Sequence, residues 1–304
     1  MDASAFRGLG VALATPFFPG SGPSGTGEID IKAFRALVRS VVAAGADFLV
    51  PLGSTGEAAT IADAERDALI AAALEEAKGR PVVVGAGHNS TAKAVELAAR
   101  AARLGADALL VVTPYYNKPQ PAGIEAHFRA VAAAAPGLPI IAYNVPGRTG
   151  LNLAPKDLAR LWSIPQVVAV KESSGNLAQI GEIARTLPHG KAILSGDDAL
   201  ALSAIAVGAA GLISVAGNVA ASAVKALVDA ALDGRMDEAR LHHYRLLPLM
   251  DALFLESNPV PLKAAMARAG IGSDAVRLPL VPASEATRAR LAECLSALGK
   301  DAAR

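Results

Sequence analysis

Eight short apolar runs, most of them rich in β-branched residues, recur along the first two-thirds of the chain and alternate with stretches of helical periodicity. Strands that alternate with helices form parallel βαβ units, and eight such units fit a closed barrel. We therefore predict an α/β fold, a (β/α)8 TIM barrel with a C-terminal helical extension. The runs are GVALATPF from Gly10, FLVPLG from Phe48, PVVVGAG from Pro81, ALLVVTP from Ala108, PIIAYN from Pro139, VVAVKES from Val167, AILSG from Ala192 and GLISV from Gly211.

A doubly wound sheet is the competing architecture, and it usually carries a glycine-rich dinucleotide turn after its first strand. Here the first strand is followed by TPFFPGSGPSGTG, which lacks that spacing. The segment GAGHNST from Gly85 begins like a phosphate loop but completes neither phosphate-binding fingerprint. We therefore predict that no nucleotide cofactor is bound.

The strand pattern stops at about Val224, and the remainder of the chain has helical periodicity. No linker rich in Gly, Ser or Pro separates this part from the barrel, so we expect a helical appendix. We predict a catalytic barrel in residues 1–224 and a C-terminal helical domain in residues 225–304. The helices predicted from periodicity cover residues 34–42, 92–104, 124–135, 226–254, 261–267 and 283–298.

Composition excludes several classes of partner. The chain has 29 basic and 28 acidic residues, and only 4% of its residues are aromatic, which argues against binding to nucleic acid.

Cys294 is the only cysteine, so an internal disulfide is excluded and a reducing, cytoplasmic location is expected. The start MDASAFRGLG lacks the pattern of a signal peptide. Residues 199–224 are uncharged, but GAAG and AGN divide them, so we predict no membrane span.

Polar residues collect where the predicted strands end. In a barrel of this type, the chemistry lies at the carboxyl ends of the strands. Five strand ends carry such groups, and we expect them to share one mouth. They are GSTGE at residues 53–57, TPYYNKP at 113–119, YNVPGRTG at 143–150, KESSG at 171–175 and SGDD at 195–198.

Lys171 follows the apolar run VVAV directly, although lysine is among the residues least often buried. One interpretation is that the strand reaches the surface there and the lysine is solvated. The other is a lysine held in a dry pocket, where its amine attacks a carbonyl carbon to form an imine. A tyrosine, an arginine and two hydroxyl residues are expected at the same mouth, and this combination favours the nucleophile.

The other groups at the mouth each have a structural and a functional interpretation. GSTGE is either a tight turn with a helix cap near Glu57, or a turn whose N–H groups hold a carboxylate. Tyr143 is either a core tyrosine or a proton relay. Arg148 is either a solvated loop residue or a carboxylate ligand. Tyr115 and Tyr116 are adjacent and would face different directions, one toward the mouth and one toward a neighbouring chain.

The acidic residues and histidines do not suggest a metal site. Asp197 and Asp198 are paired but lack further ligands, and the five histidines show no ligand spacing. Asp198 precedes a predicted helix and would cap it. We predict that no metal is bound.

The motifs GSTGE, TPYYNKP, YNVPGRTG, KESSGN and SGDD occur in this order between about Gly8 and Pro282. In these motifs the chain resembles the dihydrodipicolinate synthase and N-acetylneuraminate lyase family of class I, Schiff-base aldolases. Arg148, together with SNPVPLKAA from Ser257 and RLPLVP from Arg277, is more similar to the synthase branch. The resemblance implies a (β/α)8 barrel with a helical C-terminal domain, a homotetramer, and a step in lysine and diaminopimelate biosynthesis.

The resemblance also implies catalytic roles. Lys171 would form an imine with pyruvate, and Tyr143 would relay protons. The hydroxyl of Ser54 or Thr55, with Tyr116 of the neighbouring subunit, would complete the relay. No cofactor is implied, because an amine, a carbonyl and proton transfer suffice for the reaction.

Binding roles follow from the same resemblance. The backbone N–H groups of Ser54 and Thr55 would hold the carboxylate of pyruvate. Arg148 would bind the carboxylate of the second substrate, L-aspartate 4-semialdehyde. Gly196 and Ile213 would line the pocket near the lysine.

Two departures from the synthase pattern matter. Ser54 stands where the synthase branch usually has threonine, which leaves open a sister aldolase acting on a sugar acid, N-acetylneuraminate or a 2-keto-3-deoxy acid. At the positions where feedback-sensitive members bind lysine, this chain has Asp63, Arg66 and Lys93, whereas Asn89 is kept. The cations Arg66 and Lys93 would repel the ammonium groups of lysine, so we expect weak feedback inhibition or none.

Overall fold

The computed structural model describes residues 1–20 and 27–301, and eight parallel strands form its centre. All eight predicted strands are confirmed, although each is shorter than the apolar run that predicts it. The strands are β1 Gly8–Ala12, β2 Phe48–Val50, β3 Val83–Gly85, β4 Ala108–Val112, β5 Ile140–Asn144, β6 Val167–Glu172, β7 Ala192–Ser195 and β8 Gly211–Ser214.

The strands form a barrel. Their hydrogen-bonded order is β2-β1-β8-β7-β6-β5-β4-β3, and a parallel bridge between Leu49 and Val82 connects β2 to β3. Where β8 meets β1, Gly211 pairs with Gly8, and a Cβ added at Gly211 would lie 2.0 Å from the Gly8 carbonyl oxygen. A glycine is therefore required at this contact, because no side chain fits between the two backbones.

Helices follow most of the strands and confirm the alternating pattern. The predicted helices at residues 34–42, 92–104 and 124–135 correspond to α1, α3 and α4. The helices are α1 Ile31–Ala43, α2 Asp63–Glu76, α3 Thr91–Arg103, α4 Pro121–Ala134, α5 Pro146–Thr149, α6 Pro155–Leu161, α7 Leu177–Arg185, α8 Ala201–Ala206, α9 Gly217–Leu232, α10 Met236–Ala252, α11 Val260–Arg268 and α12 Glu285–Asp301.

Side chains fill the interior of the barrel and close its amino end. Phe6, in the 3-10 turn Ala3–Phe6 before β1, is fully buried and packs edge-on against Phe48 at 5.8 Å between ring centroids. Buried residues of the strands continue this cluster toward the carboxyl ends, where it includes Tyr143 and Ile213. Open space is therefore expected at the carboxyl ends of the strands, where the polar motifs lie.

The single helix predicted at residues 226–254 is wrong. The structure has two helices there, α9 and α10, joined by residues 233–235. Gly234 adopts a left-handed conformation with φ 75°, which glycine favours and which ends helices. The Asp-Gly pair in the sequence was the signal for this break.

The C-terminal helices pack on the outside of the barrel. One hydrophobic cluster joins residues of the outer barrel layer to Leu227, Leu249 and Leu291. The proposed division at residue 224 falls inside α9 and stays a prediction. Residues 199–224 form α8, β8 and the start of α9, and no helix of the described residues is both long and apolar enough to cross a membrane.

Candidate active site

Lys171 lies at the penultimate position of β6 and is buried. Its partner in the register between β5 and β6 is Tyr143, and the Lys171 Nζ lies 4.3 Å from the centroid of the Tyr143 ring. The solvated interpretation of Lys171 is therefore wrong. The sheet itself brings the amine and the phenol together at the carboxyl ends of adjacent strands.

Because Gly196 has no side chain, the Lys171 side chain can occupy the space beside it. A Cβ at Gly196 would lie 2.6 Å from the Lys171 Cε and 1.9 Å from the Ser173 hydroxyl oxygen. Ile213, in β8, is fully buried and belongs to the same interior cluster as Tyr143. Gly196 thus adjoins Lys171, and Ile213 shares the interior cluster with Tyr143, while their place in a pocket wall and their contact with a substrate stay predictions.

The segment GSTGE forms a 3-10 turn, Ser54–Gly56, directly after β2. The first N–H groups of such a turn have no partner within it. Thr55 is buried, and its hydroxyl oxygen accepts a hydrogen bond of 3.0 Å from the Asn258 side-chain amide. The turn therefore offers unsatisfied donors next to an oriented hydroxyl, as anion binding requires.

No side chain of GSTGE caps this turn or the 3-10 turn that follows it, so the interpretation of a Ser or Thr cap with Glu57 nearby is wrong. Glu57 instead contacts the C-terminal region. Its carboxylate accepts a hydrogen bond of 2.6 Å from the Lys263 ammonium and one of 3.1 Å from the backbone N–H of Arg277. Burial lowers the pKa of Lys263 to about 8, and the Glu57 carboxylate opposes that shift. Glu57 therefore connects the turn after β2 to the C-terminal helices.

Arg148 stands on the short helix α5, after β5, and is exposed. Its guanidinium donates a hydrogen bond of 2.8 Å to the carbonyl oxygen of Asn258. A cavity of about 440 Å³ opens between these groups and the barrel mouth, and Ser54, Tyr143, Arg148 and Asn258 all line it. This volume is in the range of small-molecule sites.

Tyr115 and Tyr116 diverge, as predicted. Tyr115 lines the cavity and packs edge-on against His88, with 5.9 Å between ring centroids. Tyr116 has a left-handed backbone with φ 73° and is 88% exposed. A tyrosine held in that strained conformation and left open to solvent is available to a neighbouring chain.

Asp198 does not cap the helix that follows it, so that interpretation is wrong. Its carboxylate accepts hydrogen bonds from the Ser214 hydroxyl and from the backbone N–H groups of Val215 and Ala216, which ties the end of β7 to the end of β8. Burial raises the pKa of this carboxyl. Among residues 1–20 and 27–301, no group of three or more His, Cys, Asp and Glu is arranged to hold a metal ion.

The residues at the expected effector positions lie at the other end of the same cavity. Asp63, Arg66 and Lys93 line it, and the Lys93 ammonium lies 2.9 Å from the Asp63 carboxylate. The Asn89 carbonyl oxygen accepts a hydrogen bond from Asn117. The Lys93 ammonium also pairs with Glu96 at 3.0 Å, and the Arg66 guanidinium donates a hydrogen bond to the Ala58 carbonyl oxygen.

Sequence reasoning gave no role to three groups that support the site. Asn258 and Lys263, both within SNPVPLKAA, contact the turn after β2 from the C-terminal region. The third is Glu172, whose carboxylate accepts hydrogen bonds from Asn144, Gln179 and the backbone N–H of Ser174. These bonds hold the end of β6 immediately behind Lys171.

Comparison with known proteins decides the family. The model of the dihydrodipicolinate synthetase family matches residues 5–298. The chain belongs to this family. A 4-hydroxy-tetrahydrodipicolinate synthase of Maridesulfovibrio salexigens is 44% identical over 296 residues, which cover 97% of this chain and 99% of that protein.

Two solved structures of dihydrodipicolinate synthases superpose closely on this chain. Dihydrodipicolinate synthase from Thermotoga maritima superposes with a TM-score of 0.92 at 39% identity, covering 96% of this chain and 98% of that chain. A monomeric dihydrodipicolinate synthase variant superposes with the same score and identity, covering 97% and 98%. The barrel with its C-terminal helices is therefore the family fold. The curated relatives share the synthase name, which does not favour a sugar-acid aldolase.

Proposed function

We propose that the chain is a 4-hydroxy-tetrahydrodipicolinate synthase, a lyase that condenses pyruvate with L-aspartate 4-semialdehyde. The observation that carries the proposal is the placement of the Lys171 amine over the ring of Tyr143, which lines one cavity together with Ser54 and Arg148. The names of the full-length relatives support it.

In the first half of the proposed reaction, the Lys171 amine attacks the ketone carbon of pyruvate and the adduct loses water to give an imine. The Tyr143 phenol is placed to carry protons to and from the reacting atoms. The N–H groups of the turn Ser54–Gly56 hold the pyruvate carboxylate. Loss of a proton from the methyl group then gives an enamine.

In the second half, the enamine carbon attacks the aldehyde carbon of L-aspartate 4-semialdehyde. Arg148 holds the carboxylate of this substrate, because guanidinium groups suit that geometry. The substrate's own amine then attacks the imine carbon, closes the ring and releases Lys171. Only the water formed with the first imine is lost, so atoms balance without a further reactant.

We also propose that the active protein is a homotetramer in the cytoplasm, with Tyr116 completing the relay of the neighbouring subunit. The exposure of Tyr116 and its strained backbone support its contact with a neighbouring subunit. The single cysteine, Cys294, suits a reducing compartment.

The test is pyruvate consumption with L-aspartate 4-semialdehyde, coupled to a reductase that reports the cyclic product. We expect turnover in the wild type and none in Lys171→Ala. Borohydride should link pyruvate to the wild type and leave Lys171→Ala unlabelled. An enzyme that is labelled but does not turn over this aldehyde would instead be a sister aldolase.

A further inference from the structure

A short segment of the C-terminal region, residues 258–263, contacts three parts of the active site. The Asn258 side-chain amide donates to the Thr55 hydroxyl, and the Asn258 backbone carbonyl oxygen accepts from Arg148. The Lys263 ammonium lies 2.6 Å from the Glu57 carboxylate. The segment is therefore in direct contact with the groups proposed to bind both substrates.

The pair of Lys263 and Glu57 is almost completely removed from water, with side-chain exposures of 0% and 2%. The ammonium also lies 3.8 Å from the centroid of the Phe17 ring. Burying two charges has a large desolvation cost, so such pairs contribute little net stability compared with apolar residues of similar size. A buried pair at this place calls for an explanation other than stability.

Glu57 is in the left-handed backbone region, with φ 53°. Its backbone N–H donates to the Ser54 carbonyl oxygen at 3.1 Å, and its carbonyl oxygen accepts from the Thr60 N–H at 2.9 Å. A residue other than glycine keeps such a conformation only where its surroundings hold it. The side chain of Glu57 is held by Lys263 and by the Arg277 N–H, so these contacts fix the backbone at the end of the turn.

We infer that Lys263 and Glu57 are positioning residues: their buried ion pair holds the turn Ser54–Gly56 in the geometry that binds the pyruvate carboxylate. The inference rests on the proposed function, since it assigns the turn to pyruvate. Neither residue touches the reacting atoms. They act through Ser54 and Thr55, so their effect belongs to the pyruvate half of the reaction.

The informative variant is the double substitution Glu57→Gln with Lys263→Met, which keeps the size of both side chains and leaves no unpaired buried charge. We expect kcat/KM for pyruvate, and the rate at which borohydride traps pyruvate on Lys171, to fall about 10–100-fold, since small displacements of binding groups have effects of this size. The KM for the aldehyde should change less than about twofold, because Arg148 and Asn258 are unchanged.

Lys225→Met is the matched control, because it removes a partly exposed lysine from its pair with Asp229 on α9. It should leave trapping and turnover unchanged.

A double variant that unfolds at the wild-type temperature and traps pyruvate at the wild-type rate would overturn the positioning role alone. Loss of the fold in the double variant would also overturn it, since the pair would then serve stability. A wild type that traps no pyruvate would overturn the proposed function and this inference with it.

Discussion

Lys171 and Glu172 are adjacent in β6, and the alternation of a strand sends their side chains to opposite faces. Glu172 is buried among the amides of Asn144 and Gln179, whereas Lys171 faces the barrel interior above Tyr143. Lys171 takes part in no ion pair among the described residues. A carbonyl carbon that enters the mouth therefore meets the amine without an ion pair having to break.

His127 makes the stability of the folded protein depend on pH. Its ring is buried against Thr91, with 3.0 Å between Nδ1 and the hydroxyl oxygen, and burial lowers its pKa from 6.5 to about 4. Between these two pH values the unfolded chain binds more protons than the folded one, so stability falls as the pH falls. We expect the free energy of unfolding to drop by about 2 kcal/mol from this group between pH 7 and pH 5.

Urea unfolding of the wild type and of His127→Gln at the two pH values measures this contribution. Glutamine can still bond to Thr91 but does not titrate, so the variant should lose less stability on acidification. His189, an exposed histidine whose replacement by glutamine removes no buried ring, gives the control. Equal acid sensitivity of His127→Gln and the wild type would contradict the assignment.

The contact between β8 and β1 joins the last strand to the first at the amino ends of the strands, away from the site. Replacing Gly211 with alanine would place a Cβ 2.0 Å from the Gly8 carbonyl oxygen and 2.7 Å from the Gly8 nitrogen. Backbone atoms of paired strands cannot move aside easily, so we expect a loss of about 3 kcal/mol, the upper end for overpacking.

Gly181→Ala is the matched control for this prediction. Gly181 lies in α7, and an added Cβ there would meet no atom within 4 Å. Because alanine favours helices by about 0.8–1.0 kcal/mol over glycine, this variant should be more stable than the wild type. Thermal and urea unfolding distinguish the two, and a Gly211→Ala protein of unchanged stability would show that the strands tolerate the methyl group.

The elements also show what the sequence could predict. The apolar runs predicted the eight strands, and the rule that chemistry lies at strand ends predicted Lys171, Tyr143 and Arg148 at one mouth. In the structure Tyr143 and Arg148 line one cavity and Lys171 lies beside Tyr143, while their roles stay predictions. The contacts of Lys263 could not be predicted in this way. It stands in the helix VPLKAAMAR, where a lysine is normally solvated, and its partner Glu57 is 206 residues away in sequence. Only the packing of α11 against the barrel brings them together.

The role of Tyr116 across subunits can be tested by mixing inactive subunits. We expect Lys171→Ala and Tyr116→Phe each to be nearly inactive alone. If Tyr116 acts in the neighbouring site, a mixed pair contains one intact site. Coexpressed in equal amounts, the two variants should recover roughly a quarter of the wild-type activity, since half of the pairs are mixed.

The control mixture combines Lys171→Ala with Tyr143→Phe. Tyr143 shares its own subunit's site with Lys171, so no mixed pair contains an intact site and activity should not recover. Sedimentation of each mixture establishes that the subunits assemble. A mixture of Lys171→Ala and Tyr116→Phe that assembles and stays inactive would contradict a role for Tyr116 across subunits.

Feedback by lysine is also a property of the assembly, and we expect it to be weak or absent. The cavity end that would receive the effector carries Arg66 and Lys93, and the carboxylates beside them, Asp63 and Glu96, are already paired with Lys93. An ammonium group entering there would be repelled by both cations and would find the neighbouring carboxylates already engaged. Steady-state rates with added lysine provide the measurement, and inhibition at submillimolar lysine would contradict the expectation.

The contact between Glu57 and Lys263 has a consequence for how the protein is made. Synthesis proceeds at about 5–20 residues per second, so Glu57 leaves the ribosome's catalytic centre roughly 10–40 s before Lys263 is added. During that interval the turn that follows β2 lacks the ion pair that we infer to fix it. The nascent chain can thus form most of its barrel before this support exists, and we expect it to bind pyruvate only after residue 263 has been translated.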